Sequence, residues 1–430
     1  MQRRLIAAFS AGSVTLLLTA CGAAQAPNQG PAVVPAANVS ASSSSYKVLH
    51  RFGRVLKQHG GANPANGLLD VNGLLYGTTQ NGGKYGHGTV FSMTTTGVKK
   101  IVYGFAGATS DGMQPSSDLI ELNGTLYGTT YFGGKCYGGT VFSVTTSGSE
   151  HVLHNFCNAD GQYPDGGLVA VGGTLYGTTT ISASTSSGSG TVYSLTTSGA
   201  YNVLHRFPQP LTYGDGYSPT GLLAVINGTL YGTTSAGGTT GSGVVYSITT
   251  AGQESLVYSF QGLKSKDGEG PLGGVTAANG VLYGTTYTGG EGKCFESSGC
   301  GIVFGVSTSG VEQVIYRFDK QDGGQNPVAA PLNVNGSLYG TTAWGGGGTC
   351  SFAVTRFVGC GTIYALTTSG DETVPHKFVG GSDGENPKGD LIDVNGVLYG
   401  TTSQGGYPKK CHTSGTNTDG GCGTVFSLTP

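Results

Sequence analysis

Leu75-Tyr76-Gly77-Thr78-Thr79 is one of seven copies of the same five residues, the others centred on Tyr127, Tyr176, Tyr231, Tyr283, Tyr339 and Tyr399. Successive copies lie 51, 49, 55, 52, 56 and 60 residues apart. A period in this range marks a unit that cannot bury its apolar face alone and must stack on its neighbours. Working outward from the first copy, Gly67 to Val71 is a short extended run, and Asn72-Gly73 is the dipeptide of a two-residue hairpin turn. Leu74 to Thr79 is the second strand, a Gly-rich loop runs from Asn81 to His87, and Gly88 to Ser92 is the third strand. Thr95-Thr96-Gly97 turns the chain into a fourth strand, Lys100 to Phe105. Four strands per unit without helical periodicity predict an all-β fold, a seven-bladed β-propeller of four-stranded blades.

The two ends of the chain complement each other. Tyr46 to Phe52 reads as a fourth strand with no strands before it, and the last unit stops after a third strand, Gly423 to Leu428. The N-terminal strand is therefore expected to complete the seventh blade and close the ring, which removes free sheet edges. An open solenoid would need capping repeats, and neither end carries one.

Strand alternation places Val48, His50 and Phe52 on one face of the fourth strand. The His50 slot holds Tyr103, His154, His205, Tyr258, Tyr316 and His376 in the other units. Ring geometry spreads these side chains around the outside, so packing between blades with a local hydrogen-bond partner is expected, not a shared metal site. Asp-Gly pairs at Asp111, Asp160, Asp215, Asp267, Asp322 and Asp383 recur in the loops between blades. Each loop offers one regularly placed carboxylate, which fits turn capping and not a calcium ligand series. No metal and no cofactor is expected.

Residues 1–20 read as a signal peptide: Arg3 and Arg4, then an apolar run from Leu5 to Leu18 that is shorter than a bilayer span. Leu18-Thr19-Ala20-Cys21 resembles a bacterial lipobox, which implies cleavage before Cys21 and lipid attachment to it. Residues 21–45, rich in Ala, Pro and Ser and uncharged, read as a tether to a membrane, and 46–430 as the propeller. Gly22 is not the aspartate that implies retention at the inner membrane, so the outer membrane or cell surface is expected.

Nine cysteines less Cys21 leave an even number. Cys294 and Cys300, Cys350 and Cys360, and Cys411 and Cys422 each fall within one loop between second and third strands. Cys136, in the equivalent loop of blade 2, and Cys157, just after that blade's fourth strand, remain. Local disulfides in an oxidising compartment are expected, since no Cys-x-x-Cys spacing supports zinc. The 80 glycines, 10 % charged residues and net charge of −2 exclude a nucleic-acid footprint.

All length variation and all of these cysteines lie on one face, in the second-to-third and blade-to-blade loops, while the opposite face has tight turns. Binding is expected on the variable face. The residues there that break the repeat are Tyr131, Phe132, Tyr137, Tyr287, Phe295, Trp344, Arg356, Tyr407 and His412. Aromatics beside cations suit sugar rings or peptides. They equally suit plain cover for Gly-rich loops.

The phrase Leu-Tyr-Gly-Thr-Thr, then Gly-Gly, then Gly-Thr-Val-Phe-Ser and Thr-Thr-Ser-Gly closely resembles the GloVer tandem repeat of exported bacterial proteins with differing surface anchors. Blade 3 departs from it, with Ile181-Ser182-Ala183-Ser184 in place of Gly-Gly. The resemblance implies an extracytoplasmic propeller and brings no catalytic residue. Quinone-cofactor propellers, a more distant likeness, imply a tryptophan pattern in every blade, and Trp344 is the single tryptophan here.

First strands carry only scattered acids, Asp70, Glu121, Asp390 and Asp393, and no paired carboxylates or nucleophile motif stand out. The expectation is a monomeric, lipid-anchored envelope protein whose propeller binds a glycan, peptide or envelope partner. The alternative is a propeller lyase or hydrolase at the loop-face mouth of the central channel, which carboxylates or histidines converging there would favour.

Overall fold

Asn72 and Gly73 both take positive φ, 54° and 80°, the conformation a tight turn between strongly twisted strands requires. The turn joins Leu69–Val71 to Leu74–Thr79, and Thr89–Thr94 and Lys99–Gly104 complete an antiparallel blade in chain order. This is a computed structural model, and it describes residues 44–430 apart from 54–59, 182–188, 209–213, 293, 295–297, 320–322, 349, 353–354, 408–410, 414–415 and 419–420. Seven such sheets form a seven-bladed β-propeller, with no α-helix among the described residues. The seventh blade is closed by the N-terminal strand: Ser45–Arg51 pairs with Thr424–Thr429, Tyr46 opposite Leu428 and Arg51 opposite Thr424. The expected clasp is present.

The repeated five residues have a physical reading. A Cβ on Gly77 would lie 2.7 Å from Phe91 Cζ and 2.8 Å from a Leu68 methyl. Only glycine lets the third-strand ring lie flat on the second strand, and Gly284 and Gly400 stand in the same relation to Phe304 and Phe426. The second threonine reaches across to the third strand, as in Thr79 Oγ1 to Thr89 Oγ1 at 2.8 Å. The same third-strand ring then receives the edge of a phenylalanine from the previous blade. Phe52 meets Phe91, Phe105 meets Phe142, Phe260 meets Phe304 and Phe378 meets Phe426, all edge-to-face at 5.0 to 5.5 Å. Phe156, Phe207 and Phe318 do the same against Tyr193, Tyr246 and Tyr364. The core thus lies between blades, and each such contact adds about 0.5–1.5 kcal/mol beyond area burial.

Four disulfides form: Cys136–Cys157, Cys294–Cys300, Cys350–Cys360 and Cys411–Cys422. The last two enclose small hairpins, Ser351–Phe352 with Thr355–Val358 and Cys411–Thr413 with Thr416–Thr418. Sequence periodicity gave no sign of these hairpins. The Asp-Gly aspartates cap turns, with Asp111 accepting from the amides of Ala106 and Gly112 at 2.6 Å each. Of the outer histidines, His154 lies 3.5 Å from Asp160 and stacks on Tyr201, and His376 lies 3.2 Å from Asp383 and stacks on Tyr46.

Candidate functional site at the loop-face mouth of the channel

Leading into its first strand, or within it for Pro219 in Gly216–Ile226, each blade runs through a proline: Pro64, Pro115, Pro164, Pro219, Pro271, Pro327 and Pro387. Each proline ring packs on a glycine of the preceding blade. A Cβ on Gly88 would lie 2.5 Å from Pro115 Cδ, and Gly88 has a φ of 103°. The proline fixes φ, the glycine admits the ring, and the next three residues are delivered to the channel axis. Asparagine before the proline ties this frame to the end of the second strand. Asn326 Nδ2 donates to the Tyr287 carbonyl at 2.8 Å, and Asn386 Nδ2 to that of Ala343 at 3.1 Å.

Most of the residues so delivered line a cavity of about 620 Å3 at the loop-face mouth. Third after the proline come Gly67, Asp118, Gly167, Leu222, Gly274, Ala330 and Asp390. Small residues at most of these positions leave room for two carboxyls to meet. Asp118 accepts from the Gly67 amide and hydrogen-bonds Asp390, whose Oδ1 accepts from the Ala330 amide at 3.1 Å. The expectation that no carboxylates pair is therefore corrected. Asp118 and Asp390 belong to blades 2 and 7, far apart in sequence, and ring closure makes them near neighbours across blade 1. Asp390 also precedes its first strand, Ile392–Val394, instead of lying on it.

Burial pushes the Asp118 carboxyl above the usual carboxylate range, offset by the Gly67 amide and the bond to Asp390. Burial pushes Asp390 well above it, and the charge of Asp118 adds to the effect. Two desolvated carboxyls in contact cannot both ionise cheaply, which favours a shared proton between them. Asp165 and Lys388 also line the cavity, exposed to it yet surrounded by protein. Burial raises Asp165 and lowers Lys388, and each partly offsets the other's shift.

Of the aromatics singled out by sequence, Tyr287 and Trp344 line this cavity together, the indole N–H hydrogen-bonding the Tyr287 hydroxyl. Tyr131 stacks on Tyr163 with ring centroids 5.1 Å apart, Phe132 edges onto both, and Tyr131 lies within reach of the Asp165 charge. Tyr137 and Tyr407 are exposed, and Tyr407 covers Gly53 at the end of the clasp strand. Arg356 and His412 sit on the strands of the two small hairpins. Phe295, like Cys21, lies outside the described residues. Sequence reading missed Asp118, Asp165 and Lys388. Their signal is the variability of the three residues after an otherwise regular proline.

The family model described as the Gloeobacter/Verrucomicrobia repeat matches residues 36–189, 179–355 and 218–430. Comparison with curated protein sequences finds no match. Among solved structures, the computationally designed Ika8 protein is similar at 12 % identity over 87 % of this chain and 99 % of its own, with a TM-score of 0.44. A putative 6-phosphogluconolactonase from Bacteroides uniformis has 14 % identity, coverage of 78 % and 89 %, and a TM-score of 0.45. A puromycin-hydrolyzing peptidase of Mycobacterium tuberculosis has 11 % identity over 83 % of this chain and 52 % of its own, with a TM-score of 0.47.

Proposed function

The chain belongs to the Gloeobacter/Verrucomicrobia repeat family, and from that premise we propose that its propeller is an extracytoplasmic binding module that receives the polyhydroxylated end of a glycan in the loop-face channel mouth. The observation that carries this reading is the meeting of Asp118 and Asp390 in the cavity that Tyr287 and Trp344 also line. Sugar hydroxyls both donate and accept, and a carboxyl pair sharing a proton does the same. An aromatic wall offers a face to the apolar side of a sugar ring, and the cavity volume lies in the range of small-ligand sites. Four disulfides fit an oxidising compartment. Lipid attachment at Cys21, the 21–45 tether and a monomeric state complete the reading. Cys21→Ser should then release a folded protein from washed membranes.

Glycan-array screening of the full chain, followed by calorimetry on the best ligand, tests the proposal. Trp344→Ala and Asp390→Asn should each weaken binding about tenfold or more, as loss of a central aromatic or buried polar contact does. A protein that binds no glycan, or whose binding ignores both substitutions, refutes it.

The same carboxyl pair favours a second reading, acid–base catalysis on the bound ligand. Carboxyls in direct contact are closer than the roughly 5 Å of a retaining glycosidase pair, so a lyase or another hydrolase is the relevant class. Mass spectrometry of the bound glycan distinguishes the two, because turnover lost in Asp390→Asn with binding retained means an enzyme.

A further inference from the structure

At the five junctions between blades that have a described Asp-Gly aspartate, three groups meet on the outer side. They are the His or Tyr of one fourth strand, the aspartate of the Asp-Gly turn that follows, and a residue opening the fourth strand of the next blade. At several of these junctions the fourth-strand ring and the aspartate meet directly. Tyr103 donates to Asp111 Oδ2 at 3.0 Å and Tyr258 to Asp267 Oδ2 at 2.8 Å, while His376 Nε2 lies 3.2 Å from Asp383 Oδ2. The same carboxylate oxygen also accepts the amide immediately after the strand's phenylalanine. Ala106 donates to Asp111, Gln261 to Asp267 and Val379 to Asp383, at 2.6 to 2.9 Å.

The junction of blades 3 and 4 departs from this pattern. The residue after Phe207 is Pro208, which has no amide hydrogen to give. Among the described residues, the Asp215 side chain accepts only from Gly216, through Oδ1 at 2.8 Å. His205 Nε2, like His154 Nε2, is sealed from water and has no hydrogen-bond partner among the described residues, but His154 lies 3.5 Å from Asp160 and stacks on Tyr201. The next blade then presents Glu254, where His154 and His376 meet the stacked rings of Tyr201 and Tyr46 and where Lys99 stands beside His50. One nitrogen of His205 and one carboxylate oxygen each of Asp215 and Glu254 all lie within 4.8 Å of one another.

We propose that His205, Asp215 and Glu254 form a binding site for a zinc-class divalent metal ion that bridges blades 3 and 4. An imidazole with two carboxylates is a borderline donor set, suited to zinc, cobalt or manganese and not to calcium, which takes oxygen ligands. Two carboxylates and a neutral imidazole balance the charge of a dication. Three protein ligands leave a coordination position for water or an outside group. Because the ligands come from two blades, the ion ties them together on the outside of the ring, away from the channel. The other described trio of possible ligands, Cys350, Cys360 and Glu385, is occupied by a disulfide and holds no such site.

The test strips the full chain with a chelator and titrates it with zinc by calorimetry, with cobalt(II) absorption as an independent probe of the donor set. One ion per chain and a zinc-dependent rise in melting temperature are expected. Glu254→Gln, which keeps the shape of the side chain, and His205→Ala should each abolish both effects, while His154→Ala at the neighbouring junction should leave them intact. Circular dichroism of the stripped variants establishes that they remain folded. Absence of stoichiometric binding, or binding that survives Glu254→Gln and His205→Ala, overturns the proposal.

Discussion

If the terminal strand truly completes a continuous ring, the closing junction must be as strong as an ordinary one. Phe52, on the clasp, is 1 % exposed, and Phe260, between blades 4 and 5, is 0 % exposed. Each meets a third-strand ring edge-to-face, at 5.5 Å and 5.0 Å. Lys99 also lies over the Phe52 ring at 4.8 Å. Truncating a buried phenylalanine to alanine costs about 3–5 kcal/mol, transfer and cavity together. A propeller of this size has an unfolding entropy of about 0.8 kcal/mol/K, so a loss of about 4 kcal/mol lowers Tm by about 5 °C. Differential scanning calorimetry of Phe52→Ala and Phe260→Ala should therefore show nearly equal decreases with a single transition retained. A Tm for Phe52→Ala within about 1 °C of the parent, beside a full decrease for Phe260→Ala, would mean that the clasp does not share in the cooperative core.

Further outcomes follow from other contacts. Gly284→Ala places a Cβ 2.4 Å from Phe304 Cζ, and urea denaturation should register a loss of about 1–3 kcal/mol from overpacking. Glu312 faces Asp267, Tyr258 and Arg317 at a blade junction, and burial first, then the Asp267 charge, raises its carboxyl to about 7. Its contribution is present below the unfolded value near 4.5 and lost as pH rises through about 7. Glu312→Gln should thus match the parent near pH 4.5 and exceed it at pH 8 by about 1 kcal/mol, once the screening of a half-exposed group is allowed for; equal pH–Tm profiles would contradict this. Mild reduction should leave the β-sheet circular dichroism intact and increase proteolytic nicking at 291–300, 345–360 and 405–422, because loop staples of this length stabilise by about 2–3 kcal/mol each without touching the junction cores. Outright unfolding on reduction would show instead that the blades depend on them.

The architecture was legible because its determinants are local and repeated. Asn72-Gly73 names its own turn and the mismatched ends name the clasp, whereas alternation misplaced Val48 and His50 on one face, because a bulge between them shifts the register. The reason for the glycine in each repeat was not legible, since Gly77 answers to Phe91 across a strand pair. The channel site was hidden for a related reason. Asp118 and Asp390 each look like isolated acids until the ring is closed, and only the geometry of blades 7, 1 and 2 makes them a pair. Weighing the four outer histidines as one class likewise concealed that His205 faces both an aspartate and a glutamate, Asp215 and Glu254. Tyr287 and Trp344 were picked out as departures from the repeat, which is the one property of a site that a repeat sequence displays openly.

The proline-on-glycine frame around the channel has a consequence for how such a protein changes. It fixes the backbone through Pro64, Pro115 and their counterparts, so the first residue after each proline can differ in chemistry from blade to blade. Those seven places hold Ala65, Ser116, Asp165, Thr220, Leu272, Val328 and Lys388: small, hydroxylic, acidic, aliphatic and basic by turns. Folding and recognition are thereby written in separate alphabets. A new ligand can be read by rewriting a handful of letters on the mouth, while the text that builds the ring stays as it is.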